Sequence, residues 1–387
     1  MARAIAGPGR TGPVFSAFAG YGALWGPYLA TLPEVRHATG ANDAQLGIAM
    51  LIGGLAAFPA MVCVGRLLDL FGRRAAVAAM ALFAVVAPLP PMAGSVSALI
   101  GAIALFGFGS GACNVAVVAL AAAAEADSGR PVMNRAHALF SLGLLAGSLA
   151  TSAALAIGLS GRPVAVALAV TFAAGLFRTL DGVPRRFAPR RQTPPRRVRR
   201  IRVAAVIGLL AALAMLVESG VQQWSGVFLT DSVGVSATLA AAVPGLFAAT
   251  MAAGRLAGHW LSRRASDRTV LLSSGALAAV GVLMLASAAG PGLGLAGTAL
   301  AGAAISVVTP TSYGIVGRHS RPDERGSAIG SVVSRASLGL LLGPAAVGQV
   351  ASWTDLRTAI AMLSAVALAV GLLAFRVPHR SMRGEMT

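Results

Sequence analysis

Apolar residues run through this chain in blocks of about twenty, and the short gaps between the blocks hold nearly all of its charge. A helix rises about 1.5 Å per residue, so about twenty apolar residues match the hydrocarbon core of a bilayer. Twelve such blocks can be marked, at 13–33, 44–64, 75–93, 97–122, 136–159, 163–180, 203–224, 236–257, 269–289, 293–316, 328–350 and 357–376. The third ends among Pro88, Pro90 and Pro91, where a regular helix cannot be sustained. The pattern predicts an all-α membrane protein of twelve transmembrane helices. Its expected parts are an N-terminal six-helix half over 1–180, a basic linker over 181–202 and a C-terminal six-helix half over 203–387.

The gaps alternate in charge. Those following odd-numbered blocks hold Arg36 and Arg162, with Arg357 at the start of the last block, whereas the others hold Arg66–Arg74, Arg130, Arg135, Arg255–Arg268 and Arg318–Arg325. Positive charge collects on the cytoplasmic side of membrane proteins, so both termini are expected inside, in a multi-pass protein of the cytoplasmic membrane. The linker, DGVPRRFAPRRQTPPRRVRRIR, is too rich in proline and like charge to pack, and reads as a solvated topology anchor that also contacts anionic lipid.

Composition agrees with this picture. The chain is 56% hydrophobic and 11% charged, with a mean hydropathy of +0.77, so lipid must be the solvent for much of its surface. The formal net charge of +18 is carried by arginine without any lysine, and its confinement to the gaps explains it without nucleic acid. Cys63 and Cys113 lie inside apolar blocks and form neither a disulfide framework nor a metal site. Residues 1–11 lack a short apolar region with a small-residue cleavage site, so the first block is expected to be a retained helix. There is no Gly-x-Ser-x-Gly, His-Glu-x-x-His or phosphate-binding glycine loop, so the expectation is a protein that is not an enzyme and needs no cofactor or metal.

The gap after the second block reads Gly65-Arg66-Leu67-Leu68-Asp69-Leu70-Phe71-Gly72-Arg73-Arg74. It is expected to form a tight polar hairpin, with Gly65 allowing close helix approach, Gly72 making a turn closed to other residues, and Arg73 and Arg74 holding it at the cytoplasmic surface. Asp69 needs a partner there, from the arginines or a helix N-terminus, and the group reads as a conformational latch. After the eighth block, Gly254-Arg255-Leu256-Ala257-Gly258-His259 echoes this stretch without its acid.

This hairpin resembles the loop 2–3 signature of the major facilitator superfamily. Trp25 with Leu32-Pro33 and Gln45-Leu46-Gly47, the stretch Pro131 to Gly143 with its His-Ala-Leu-Phe-Ser-Leu-Gly, the stretch Glu218 to Ser225, and Gly343-Pro344 with Gly348 narrow the resemblance. Together they are similar to the Mos-type, rhizopine-associated branch, a neighbour of the fucose-permease-like sugar:proton symporters. The resemblance implies a secondary transporter working by alternating access between two halves, most simply a monomer, moving a small-molecule substrate such as a sugar or polyol with protons. Efflux of hydrophobic compounds is the alternative within the superfamily, and a membrane-embedded sensor the alternative outside it. Relatives usually carry an Asp and an Asn in the fourth helix where this chain has Asn114 and Val118, and an Asp where it has Gln223. Both departures bear on proton coupling.

Polar residues inside the blocks are costly and therefore informative. Glu218 and Gln222 share a helical face, with Trp224 beyond them, and Glu218 either exchanges protons or is a structural acid hydrogen-bonded to another helix. His137 opens the fifth block near Arg135 and Glu125, either as an inner gate or in a packing hydrogen bond. Arg335 lies about two turns into the eleventh, where it either snorkels to the surface or binds a solute. Asn114 offers a donor and an acceptor to a sugar-like ligand, or a link between helices. Trp25, with Tyr21 and Tyr28, lines a cavity or anchors the interface.

Overall fold

The computed structural model describes residues 11–129, 132–179, 202–261, 264–320 and 324–377. Of the expected linker, only its last residue, Arg202, falls among them. The helices are α1 (Gly12–Ala30), α2 (Leu32–Thr39), α3 (Asp43–Phe71), α4 (Arg73–Val86), α5 (Val96–Ser128), α6 (Met133–Ala156) and α7 (Arg162–Thr179), then α8 (Arg202–Val233), α9 (Ala237–Leu261), α10 (Asp267–Ala286), α11 (Pro291–Ile305), α12 (Val308–His319), α13 (Arg325–Trp353) and α14 (Leu356–Leu373). Ten spans among the described residues are long and apolar enough to cross a membrane, one of them made of α11 and α12 together. Helices α1 and α7 fill the first and sixth places of the twelve-helix arrangement.

Proline accounts for most departures from the expected spans. The first block divides at Thr31, where Pro33 enters the first turn of α2, and the tenth divides at Ser306 and Val307, just before Pro310. Helix α4 stops at Val86, and Pro90–Met92 form a short 3-10 turn instead of a further helical stretch.

The expected hairpin is also corrected. Helix α3 continues through Asp69 to Phe71 and α4 begins at Arg73, so the turn is Gly72 alone, at φ +54°. A positive φ costs glycine little and other residues much, which is why one residue suffices. Gly65 lies inside α3, and a Cβ built there would meet nothing, so it mediates no close helix approach in this structure.

Other helix ends follow their local chemistry. Ser95, Ser266 and Asp355 accept N–H bonds from Ala98, Thr269 and Thr358 as N-caps of α5, α10 and α14. The two Thr358 hydrogen bonds, from backbone N–H at 2.9 Å and hydroxyl at 2.8 Å, hold the Asp355 carboxyl below the usual carboxylate range.

Packing divides the described residues into two units. One lies within Met1–Ala41, Ile52–Arg191 and Ala237–Gly245, the other within Asn42–Leu51, Gln192–Ser236 and Leu246–Thr387. In the first, α1 packs most extensively on α6, and α4 lies against α5 and α7. The second repeats this plan, with α8 on α13, and α10 against α11 and α14. Each principal pair closes over glycines four apart: Gly143 and Gly147 of α6 face the Ala19 and Ala23 carbonyls of α1, and Gly339 and Gly343 of α13 face the Ala212 and Leu216 carbonyls of α8. Small residues allow helices in lipid to gain dispersion contacts that bulkier ones would forbid.

Candidate functional site

In the first unit, Tyr21, Trp25 and Tyr28 follow one another at helical spacing along α1. Trp25 meets Phe106 of α5 edge-on at 5.0 Å between ring centroids, and Tyr28 stacks on the same ring at 4.3 Å. Tyr21 packs against Phe83 of α4 and Phe140 of α6 at 5.3 and 5.1 Å. The polar ends of Tyr21 and Trp25 converge on Ser110 of α5. Trp25 Nε1 donates to Ser110 Oγ at 3.2 Å, and the Tyr21 and Ser110 hydroxyls lie 2.9 Å apart. Asn114 follows Ser110 by one turn, half-buried, and its side chain makes no hydrogen bond among the described residues. Trp25 too is only half-buried. The result is a buried aromatic cluster in which Trp25 is half-exposed and its N–H already held in place, with an unused amide one turn away.

His137 is exposed in the first turn of α6, its ring edge-on to Phe18 at 5.2 Å. Glu125, a candidate partner for it, accepts instead from the backbone N–H groups of Val132 and Met133 at 2.8 and 2.9 Å, which caps α6. Asp69 is exposed at the end of α3 and has no hydrogen bond or ion pair among the described residues.

The second unit holds the buried acid. Glu218 of α8 has a side chain only 13% exposed, and its ion-pair partner among the described residues is Arg255 of α9, Nη2 at 4.0 Å from Oε1. Gly254 allows this placement, because a side chain there would run into the Ala303 carbonyl of α11. Gln222, one turn from Glu218, is half-buried with no side-chain hydrogen bond among the described residues.

Trp224 and Arg335 are occupied elsewhere. Trp224 is fully buried, its Nε1 donating to the Pro344 carbonyl of α13 at 2.9 Å and its ring against Gly348. Neither an open ring face nor a free donor remains for a solute in this structure. Arg335 is exposed and turns back along its own helix to Ser331, at 2.5 Å from the hydroxyl and 3.1 Å from the carbonyl. Its stem lies over Gly208 of α8, the geometry of a snorkelling arginine.

The sequence-predicted residues therefore fall into two groups, Trp25 and Asn114 beside Ser110, and Glu218 and Gln222 beside Arg255. Ser110 and Arg255 were not anticipated as site residues. The echo of Gly65-Arg66 in Gly254-Arg255 was the available signal for Arg255, and the unpaired indole of Trp25 was the signal for an acceptor such as Ser110. A further apolar groove of about 390 Å³ runs between α4 and α7, lined by Val77, Ala81, Val85, Val166, Val170 and Leu176 among others. Among the described residues no cluster of His, Cys, Asp or Glu could hold a metal ion.

A bundle of membrane-crossing helices in two like-built units, with buried polar groups in each, defines a polytopic membrane protein of the transporter type. The family profile of the Major Facilitator Superfamily matches residues 14–296 and 260–385, and the chain belongs to that superfamily. It is 29% identical over 353 residues to an uncharacterized MFS-type transporter of Yersinia pestis, covering 90% of each chain. It is 27% identical over 384 residues to the membrane protein MosC of Rhizobium meliloti, covering 94% of this chain and 89% of that one. Among solved structures, the fold matches the D323A mutant of the nucleoside transporter NupG with a TM-score of 0.76 at 15% identity, over 95% of this chain and 99% of that one. The xylose transporter XylE from E. coli gives 0.71 at 15% identity, over 96% and 97%.

Proposed function

We propose that this protein is a proton-coupled secondary transporter of a small polar solute, of the sugar or polyol type, working by alternating access in the cytoplasmic membrane with both termini inside. The observation that carries the coupling is Glu218, a carboxylate enclosed within a membrane-crossing helix whose ion-pair partner among the described residues, Arg255, stands at the outer limit of ion pairing. An acid held this way can trade its proton for the arginine, so its protonation state and the local packing are linked. The solute class rests on the half-exposed indole of Trp25, backed by the buried Tyr21 and Tyr28, with the free amide of Asn114. Aromatic faces bind the apolar faces of sugar rings, and an amide binds their hydroxyls. NupG and XylE, whose titles name a nucleoside and xylose, share the fold and fit a polar solute.

In this reading residues 1–180 and 203–387 are the two moving halves, joined by the basic linker, and one chain suffices as a monomer. Membrane lipid covers the outside, and its acyl chains fill the apolar groove between α4 and α7.

The test is a thermal-shift screen of the purified protein against sugars, polyols, sugar acids and common drugs at two pH values, followed by liposome transport of whatever binds. A ligand that binds only the folded state raises its melting temperature by mass action. A pH-dependent shift with one polar class is expected, and Glu218→Gln should then abolish proton-driven accumulation while solute exchange persists. Uphill transport unchanged in that variant removes Glu218 from coupling. Shifts with lipophilic drugs alone replace the solute reading with efflux.

A further inference from the structure

The first unit keeps open a seam that the second unit closes. In the second unit the corresponding helices are α10 and α14, which pack extensively, and a Cβ on Gly275 would strike the Gly371 backbone at 2.5–2.7 Å. Helices α4 and α7 touch much less, and the apolar groove of about 390 Å³ lies between them. Valine, alanine, proline and leucine line it, with no glycine to bring the two backbones together.

One end of the seam is pinned, because Arg162 at the start of α7 donates through Nε to the Pro91 carbonyl beyond the end of α4, at 3.1 Å. The two helices therefore run antiparallel, and the other end of the groove lies where α4 begins. There Arg74, Val77, Ala81 and Val85 follow one another at helical spacing, so Arg74 continues the face of α4 that lines the groove. Arg74 is exposed and has no hydrogen bond or ion pair among the described residues. The matching residue of α10 is Arg268, also second in its helix, and its guanidinium is taken, lying 4.5 Å over the ring of Phe375. The open seam thus ends on an uncommitted arginine, and the closed seam on an occupied one.

We propose that the α4–α7 seam binds one anionic phospholipid, with an acyl chain in the groove and the phosphate on Arg74. An apolar channel with a guanidinium at its end suits an amphiphile, since a soluble anion would gain nothing from the channel and a neutral chain nothing from the arginine. The stretch from Gly65 to Arg74 sets Arg66, Arg73 and Arg74 against the single acid Asp69, so the local charge favours a head of net negative charge over a zwitterionic one. In the proposed orientation α4 begins at the cytoplasmic surface, where anionic heads collect. The inference rests on the reading of the groove as filled by lipid, but needs neither Glu218 nor a transported solute.

The test is native mass spectrometry of the detergent-purified protein titrated with phosphatidylglycerol or phosphatidylcholine of matched chains. Phosphatidylglycerol should bind about fivefold more tightly, the equivalent of the roughly 1 kcal/mol that one basic residue contributes at an anionic surface. Arg74→Gln should remove that preference, and Arg74→Lys restore most of it, since a point charge also serves a phosphate. Arg268→Gln takes away the same charge at the corresponding place in the second unit and should leave the preference as it is. Ala173→Phe, which fills the groove, should weaken both lipids about tenfold, as the loss of about two buried methylenes would. If that variant does not fold, Ala81→Leu narrows the groove from the other helix. Equal affinity for the two lipids in the wild type, or a preference that survives Arg74→Gln or falls equally in Arg268→Gln, overturns the proposal. Two lipids held alike and both weakened by Ala173→Phe would overturn the headgroup site while leaving the lipid-filled groove of the proposed function intact. Lipid binding unchanged in Ala173→Phe would overturn both.

Discussion

An indole N–H inside a membrane has to be satisfied, and at Trp25 the acceptor is the hydroxyl of Ser110. Tyr21 shares that hydroxyl but also lies 3.3 Å from the Ser110 carbonyl, so it keeps an acceptor if the hydroxyl is removed. Trp25 does not. Ser110→Ala should therefore cost about 1 kcal/mol through Trp25 alone, the size of one net hydrogen bond, which polar pairs in membranes reach or fall below. More telling, the loosened indole should weaken binding of any ligand found in the solute screen, while Tyr28 stays fixed by its stacking on Phe106. Thermal unfolding and ligand titration of the same variant check both parts. A stability loss with unchanged ligand affinity would confine Ser110 to packing.

At the scale of elements, glycine decides which helices touch. A Cβ at Gly143 would strike the Ala19 carbonyl, and one at Gly339 the Ala212 carbonyl, so in each pair a backbone would have to move. Gly143→Ala and Gly339→Ala should each destabilise by about 1–3 kcal/mol, as overpacking does. Gly65→Ala, whose added methyl meets nothing, should be neutral or slightly stabilising. Melting temperatures of the three variants make the comparison, and equal small gains in all three would show that helix propensity, not contact, is being measured. This contrast also marks what the sequence could tell. Runs of apolar residues and the arginine gaps placed the spans, and prolines marked where the third would end. Which of the chain's 47 glycines face a partner depends on helix rotation, which composition does not encode. Gly65 was expected in a contact and makes none, whereas Gly147 drew no attention and lies against α1. Arg255 was legible as a topology charge, but its place beside Glu218 required the packing of α9 on α11.

Across the whole molecule the two units repeat one plan, and the chief difference in their matching stretches is an acid. Gly65-Arg66 is followed by Asp69, whereas Gly254-Arg255 has none at the equivalent place, and there Arg255 turns to Glu218 of its own unit. Asp69 stands exposed and without a partner among the described residues. If the stretch is a latch, as we propose, Asp69 meets its partner in another state. That sets the sign of two measurements. Asp69→Asn removes a charge that stabilises nothing here, so thermal stability of this conformation should stay within about 0.5 kcal/mol of wild type, as for surface changes away from special features. Transport of the solute identified in the screen should nevertheless fall about tenfold, because the state that needs the carboxylate loses about 1.4 kcal/mol of charge-assisted bonding, the free-energy equivalent of that factor. A loss of stability with transport intact would mean that Asp69 serves the fold. Stability and transport both unchanged would leave the Gly72 turn and its arginines as a topology device alone, and the latch would have to be sought elsewhere in the chain.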